Sequence, residues 1–349
     1  MLAELRMFQF RCFESFALEA LSGFNFFIGA NGQGKTSILE GACVLLRLQS
    51  QRSSTLAPLI RFGKARFAVD GQWDRHRLQF RYSALRRKLL LDEVEQRATD
   101  EYLRVGRVVS FANSDIDLPR GTSEPRRRYL DFIGAQVSAR YRPILRAYER
   151  ALRSRNALLK SPHPRPKEIA AYDQPLLEYG NELGTMRRDL AQRLAPLAAR
   201  AQHAITSGRE QLEVAFRSGS SEDFAAALAT SHLQELRLRQ TVVGPHRDDL
   251  ELHVNGRAAG QFASEGQQRT VALSLKIAQA QLITEETGAP PLLLLDDIFG
   301  ELDPERRAAL LQNLPTDSQK FVTATAFPAR DLPSGAIFTL RNGMVERAA

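Results

Sequence analysis

Residues 24–37 read FNFFIGANGQGKTS, and no other stretch constrains this chain as tightly. Phe24 to Ile28 is a short apolar run with the character of a buried strand. Ile38, Leu39, Ala42 and Leu46 then recur at helical spacing, so the glycines between them sit in a strand-to-helix turn. The spacing Gly29-x4-Gly34-Lys35-Thr36 is the pattern of a phosphate-binding loop. Gly29, Gly32 and Gly34 are expected to take backbone angles that a side chain forbids, so that several N–H groups point at one phosphate. The cradle comprises Gly29, Ala30, Asn31, Gly32, Gln33, Gly34, Lys35, Thr36 and Ser37. Lys35 would reach the β- and γ-phosphates of ATP, Thr36 would hold Mg2+, and the helix that follows adds its positive end.

A phosphate loop needs an acidic partner, and LLLLDD at Leu292 to Asp297 supplies one. Four consecutive leucines suit a strand buried on both faces of a parallel sheet, whose C-terminal edge is where ligands bind. Asp296 is placed to anchor Mg2+ through water. Asp297, one step beyond the strand, is placed as the base that activates the attacking water. Downstream, Phe299-Gly-Glu301-Leu-Asp303-Pro has the form of the loop that meets a second subunit. Upstream, Ser264-Glu-Gly266-Gln267 opens a helix whose hydroxyl and free N–H groups suit an anion. The plainer alternative at Ser264 is an N-cap completed by Gln267 as a capping box. The order of these parts, with a long insert after the P-loop, belongs to ABC-type ATPases.

With 349 residues, 43% of them hydrophobic, the chain can bury a large core and divide into two lobes. The net charge of +8 favours a polyanionic partner. Cys12 and Cys43 lack metal-ligand spacing and read as buried reduced thiols, and no apolar run approaches a membrane span, so a cytoplasmic location without membrane contact is expected. The expected organisation is an ATPase lobe from 1–113 and 286–349, with a helical arm and signature lobe from 114–285. Alternation in MFQFRCFESFALEAL, ARFAVDGQW and HRLQFRY marks the strands of the first lobe. Helices are predicted from Ser123, over Ala139 to Lys160, over Lys167 to Thr206 and over Glu265 to Glu285. Hairpin turns fall at Asn255-Gly256 and Asn342-Gly343.

The blocks GANGQGKTSILE, PRRRYLDFIGAQVSARYRPILRAYERALRSRNALLK, TVVGPHRDDLEL, ASEGQQRTVALSLKIAQ, LLLLDDIFGELD and FVTAT together resemble the RecF family over nearly the whole chain. That resemblance implies an α/β fold: a P-loop ABC-type ATPase head, SMC- and RecF-like, with an inserted helical arm. It also implies a weak, DNA-stimulated ATPase of recombinational repair that dimerises head to head on ATP. Such a protein acts at single-strand/double-strand DNA junctions without sequence preference and helps load RecA with RecO and RecR. Three positions depart from the pattern. Glu265 stands where many ABC signatures carry glycine, Asn113 interrupts an FxPxD run, and Thr323-Ala-Thr325 offers no switch histidine, which implies slow hydrolysis.

DNA contact is expected on the first part of the arm. Arg126, Arg127, Arg128, Arg140, Arg142, Arg146, Arg150, Arg153, Arg155 and Lys160 concentrate charge there, and Arg142, Arg146, Arg150 and Arg153 share one helical face. Arg127, Arg142, Arg146 and Arg150 are the leading candidates, with some of these arginines expected to bridge to the ATPase lobe. Two other classes fit less well. A transporter ATPase would place Ser264 much nearer Lys35, and an SMC-type chromosome ATPase would need a longer arm without Pro143, Pro175 and Pro196.

Overall fold

The computed structural model describes residues 1–53, 55–325, 333–341 and 344–347. The chain divides into two compact units, one of residues 1–115 and 279–349 and the other of residues 116–278. The predicted turn at Asn342-Gly343 lies outside the described residues.

The first unit holds two six-stranded sheets. One is antiparallel and runs in the order Phe13–Glu19, Leu2–Phe10, Arg66–Trp73, His76–Ser83, Arg87–Leu91, Val94–Glu95. The other is mostly parallel, in the order Met344–Arg347, Gly335–Arg341, Phe24–Ile28, Lys320–Ala324, Leu292–Asp296, Val108–Ala112. The alternating strands of the first sheet bury one face. The leucines of Leu292–Asp296, paired in parallel on both sides, are no more than 1% exposed.

Helix Lys35–Arg47 packs on strands of both sheets. Its Ile38, Leu39, Val44, Leu45 and Leu46 are at most 2% exposed. Their burial contributes on the order of 10 kcal/mol before entropy is counted. The helix is tied down by charge as well. Glu40, 2% exposed, receives Arg11 Nε at 2.7 Å and Arg11 Nη2 at 2.8 Å, and Ser50 Oγ donates to it at 2.5 Å. Arg11 sits at φ 53°, in the turn that joins the first two strands. That turn interrupts the alternation read from the sequence. Cys12, expected to be buried, is consequently exposed, whereas Cys43 is buried on the helix.

The second unit is built on helices Ser123–Val137, Tyr141–Leu159, Asp173–Ile205 and Phe224–Leu238, with the first part of Glu265–Thr287. Tyr141–Leu159 and Asp173–Ile205 run antiparallel: Arg155 meets Asp173 at 2.9 Å, Tyr148 lies beside Gly180, and Arg140 reaches Glu182 at 2.7 Å. Pro196 is accommodated inside the long helix, while Pro143 and Pro175 fall in first turns, where a missing N–H costs little. A small sheet in the order Arg257–Ala258, Asp249–Val254, Leu212–Arg217 completes the unit. Its turn places Asn255 at φ 51° and Gly256 at φ 73°, the left-handed pair that an Asn-Gly hairpin requires.

Candidate active site

The parallel sheet sets the site. Phe24–Ile28 delivers the glycine loop at its C-terminal end, Leu292–Asp296 delivers the two aspartates at the same edge, and Lys320–Ala324 lies between them. Gly32 at φ 82° and Gly34 at φ 98° take the left-handed conformations expected of them. Gly29 does not, and its glycine answers a different demand. A Cβ there would stand 2.6 Å from the carbonyl oxygen of Leu340. Gly34 carries both constraints, since its Cβ would also meet Cys12 Sγ and Phe13 Cζ at 2.7 Å.

Within the loop, Ala30, Asn31 and Gly32 are exposed, Gln33 is half-buried, and Lys35 and Ser37 are buried at the start of the helix. Lys35 Nζ donates to the carbonyl oxygens of Gly29 at 2.5 Å and Ala30 at 3.1 Å, so the ammonium folds back over its own loop. Burial pushes the Lys35 pKa down from its ordinary value, and the charges of Asp297 and Asp296 oppose that shift.

Thr36 Oγ1 donates to Asp296 Oδ1 at 2.9 Å across 260 positions of sequence. A hydroxyl beside a carboxylate is a hard oxygen pair of the kind that suits Mg2+, with the hydroxyl as ligand and the carboxylate acting through water. Among the described residues no group of three or more His, Cys, Asp or Glu could hold a metal ion. Asp297 follows in the left-handed region at φ 54° and ψ 24°. Burial raises its carboxyl pKa, Lys35 pulls it down and Asp296 raises it further. A carboxylate so held is a better proton acceptor than one in water.

The other predicted residues fall elsewhere. Ser264, Gly266 and Gln267 belong to the second unit, at the N-terminus of Glu265–Thr287. They form the capping box: Ser264 N donates to Gln267 Oε1 at 2.9 Å and Gln267 N donates to Ser264 Oγ at 3.3 Å. As an acceptor the Ser264 hydroxyl still has its own proton to give. Asp303 is exposed and caps helix Pro304–Asn313, accepting from Arg306 N at 2.9 Å, and the Glu301 side chain lies outside what is described.

The arginines of the arm divide. Arg146 and Arg150 are exposed and Arg142 is half-buried. Arg127 Nη1 donates to the Asp248 carbonyl at 2.8 Å and to Ser123 Oγ at 2.5 Å, and Arg126 grips Asp249 at 2.7 and 3.0 Å, so both serve the unit's own packing. Arg155, counted from the sequence with the surface charges, is 0% exposed. It binds Asp173, Thr241 at 2.9 Å and Glu235 at 2.7 Å.

The RecF/RecN/SMC N terminal domain family matches residues 1–329. The DNA replication and repair protein RecF of Symbiobacterium thermophilum is 36% identical over 365 residues, covering 99% of this chain and 97% of that protein. The chain belongs to the RecF family. Another member, the RecF of Lacticaseibacillus paracasei, is 35% identical, with 93% of each chain covered. Among solved structures, the recombination mediator protein RecF with ATP, from the RecFOR pathway, superposes with a TM-score of 0.91 at 28% identity. It covers 100% of this chain and 97% of its own. An Smc head domain from Pyrococcus furiosus shares the fold, with a TM-score of 0.55 at 15% identity.

Sequence reasoning missed Thr323 as a residue of this site. It read the strand only for a histidine, whereas Thr323 Oγ1 lies 2.8 Å from Asp296 Oδ1 and 2.9 Å from the Asp297 amide. The available signal was the side-chain type: a hydroxyl near the end of a buried strand needs a partner.

Proposed function

We propose that this chain is an ATP-dependent DNA-binding protein of recombinational repair, which closes as a homodimer on ATP and opens after hydrolysis. The observation that carries the reading is the bond from Thr36 to Asp296 at 2.9 Å, which joins the phosphate loop and the acidic strand in one site. The RecF–ATP likeness over the full chain supports ATP as the nucleotide.

Lys35 leaves the Gly29 and Ala30 carbonyls to face the β- and γ-phosphates, and the loop N–H groups and helix end hold the remaining phosphate oxygens. Thr36 and Asp296 would hold Mg2+, whose charge would offset that of the phosphate oxygens. Asp297 accepts the proton of the attacking water. Ser264 and Gly266, with Gln267, meet the γ-phosphate carried by a second subunit, and Glu301 and Asp303 line the same two-fold interface. Turnover is slow and stimulated by DNA. Arg142, Arg146 and Arg150 contact phosphates and read no bases, so DNA junctions and gaps are chosen by shape. RecR and RecO are the partners, and RecA loading is the outcome. Among the described residues no helix is long and apolar enough to cross a membrane.

Nucleotide binding and turnover in two variants test the site. Lys35→Ala abolishes ATP binding, because it removes the cation facing the phosphates. Asp297→Asn binds ATP and loses turnover, because an amide orients water without taking its proton. Unchanged ATP affinity in the first variant contradicts the phosphate loop, and wild-type turnover in the second moves the base elsewhere.

A further inference from the structure

The strand Lys320–Ala324 separates the phosphate-loop strand from the acidic strand, so whatever stands at its C-terminal end stands between the two halves of the site. Thr323 stands there, in register with Phe27 on one side and Asp296 on the other, and is 1% exposed. Its hydroxyl donates to Asp296 Oδ1 at 2.8 Å and accepts the Asp297 N–H at 2.9 Å. One oxygen therefore fixes two consecutive aspartates by different means: the side chain of the first and the backbone of the second.

Both bonds constrain something that chemistry would use. Asp296 Oδ1 also accepts from Thr36, so two hydroxyls on one oxygen set the plane of the carboxylate. The Asp297 backbone, at φ 54° and ψ 24°, lies where few non-glycine residues rest, and the hydrogen bond from its N–H to the Thr323 hydroxyl holds it there. The direction of the Asp297 side chain follows from that backbone. We propose that Thr323 is a positioning residue that couples the metal-side carboxylate, Asp296, to the base, Asp297. It acts through them. The inference rests on the ATPase reading above.

Thr323→Val keeps the shape and the strand preference and deletes the hydroxyl, whereas Thr323→Ser keeps the hydroxyl and deletes the methyl. In the full chain, Thr323→Val is expected to bind a fluorescent ATP analogue within about two-fold of wild type. Its kcat should fall by about 10- to 100-fold and its half-saturating Mg2+ concentration should rise several-fold, the usual scale for losing an outer partner of a metal-side ligand. Thr323→Ser should return both to within about three-fold of wild type, a rescue that simple packing would not give. Thr323→Cys, with a weak donor of similar size, should fall between the two and serves if the valine variant does not fold. Wild-type kcat and Mg2+ dependence in Thr323→Val or Thr323→Cys overturns the proposal, as does a serine variant no better than valine. Asp297→Asn assayed alongside separates the two levels. Wild-type turnover there moves the base away from Asp297 and leaves Thr323 nothing to couple, while a defect there beside a wild-type Thr323→Val overturns only the role of Thr323.

Discussion

Arg155→Met should destabilise the second unit while leaving DNA binding as it was. The guanidinium is fully buried and donates to Asp173, Thr241 and Glu235, and Glu235 is itself 0% exposed. Methionine fills the space of the stem but leaves the Glu235 carboxylate with only the Val242 N–H at 3.2 Å among these partners. Removing one member of a buried ion pair costs about 3–5 kcal/mol, chiefly because the other charge is stranded. Thr241 softens the loss slightly, since it keeps Asn156 at 2.7 and 2.8 Å. In urea, at a slope of about 2 kcal/mol/M, the transition of this unit should move down by about 2 M. Arg155→Met with Glu235→Gln removes both charges and should recover roughly half of that loss. The salt dependence of DNA binding, measured where the variant is folded, should equal that of wild type. A midpoint within about 0.3 M of wild type refutes the reasoning, as does a flattened salt slope with unchanged stability.

Two further outcomes follow from the same unit. His246 donates from one ring nitrogen to the Thr241 carbonyl at 2.9 Å and accepts the Tyr148 hydroxyl at 2.7 Å on the other, and burial, ahead of its other causes, pushes its pKa down to about 4. The unfolded chain therefore takes up this proton first as pH falls, so stability is intact above about pH 6.5 and declines toward pH 4 by about 3 kcal/mol in all. Denaturation of His246→Gln from pH 7 to 4 should lack that component, and an identical pH dependence in the two proteins contradicts the assignment. Replacing Arg142, Arg146 and Arg150 together with alanine should lower the log-log salt slope of DNA binding by roughly one unit for each phosphate no longer neutralised, and an unchanged slope places the DNA path elsewhere.

The parts of this molecule that can be read from sequence are those whose chemistry is local. The glycine loop, the leucine strand ending in Asp296 and Asp297, and the Asn255-Gly256 turn each carry their signal within a few residues. Thr323 was invisible because its meaning depends on strand order, which sets it between Asp296, 27 positions away, and Phe27, near the other end of the chain. Strand Leu212–Arg217 went unread for a related reason: its partner is Asp249–Val254, and its own stretch is short. Helix Phe224–Leu238 went unread too, although its signal was local: Asp223 caps it by accepting from Ala226 N at 2.9 Å. Arg155 was legible in principle. It continues the buried stripe of Ile144, Tyr148 and Ala151 at spacings of four, three and four, whereas Arg142, Arg146 and Arg150 lie on another face. Counting charge along the helix, rather than around it, put Arg155 on the surface.

If ATP held by Lys35 of one protomer is capped by Ser264 of another, nucleotide controls assembly. Light scattering of the full chain with ATP and Mg2+ tests this most directly, using wild type, Lys35→Ala, Asp297→Asn and Ser264→Arg. Wild type should dimerise with ATP and dissociate as ATP is consumed, and Asp297→Asn should remain dimeric. Lys35→Ala should stay monomeric for want of nucleotide. Ser264→Arg should also stay monomeric although it binds ATP as well as wild type, because bulk and charge fall at the interface and its own phosphate loop is untouched. A Ser264→Arg protein that dimerises on ATP like wild type contradicts the account.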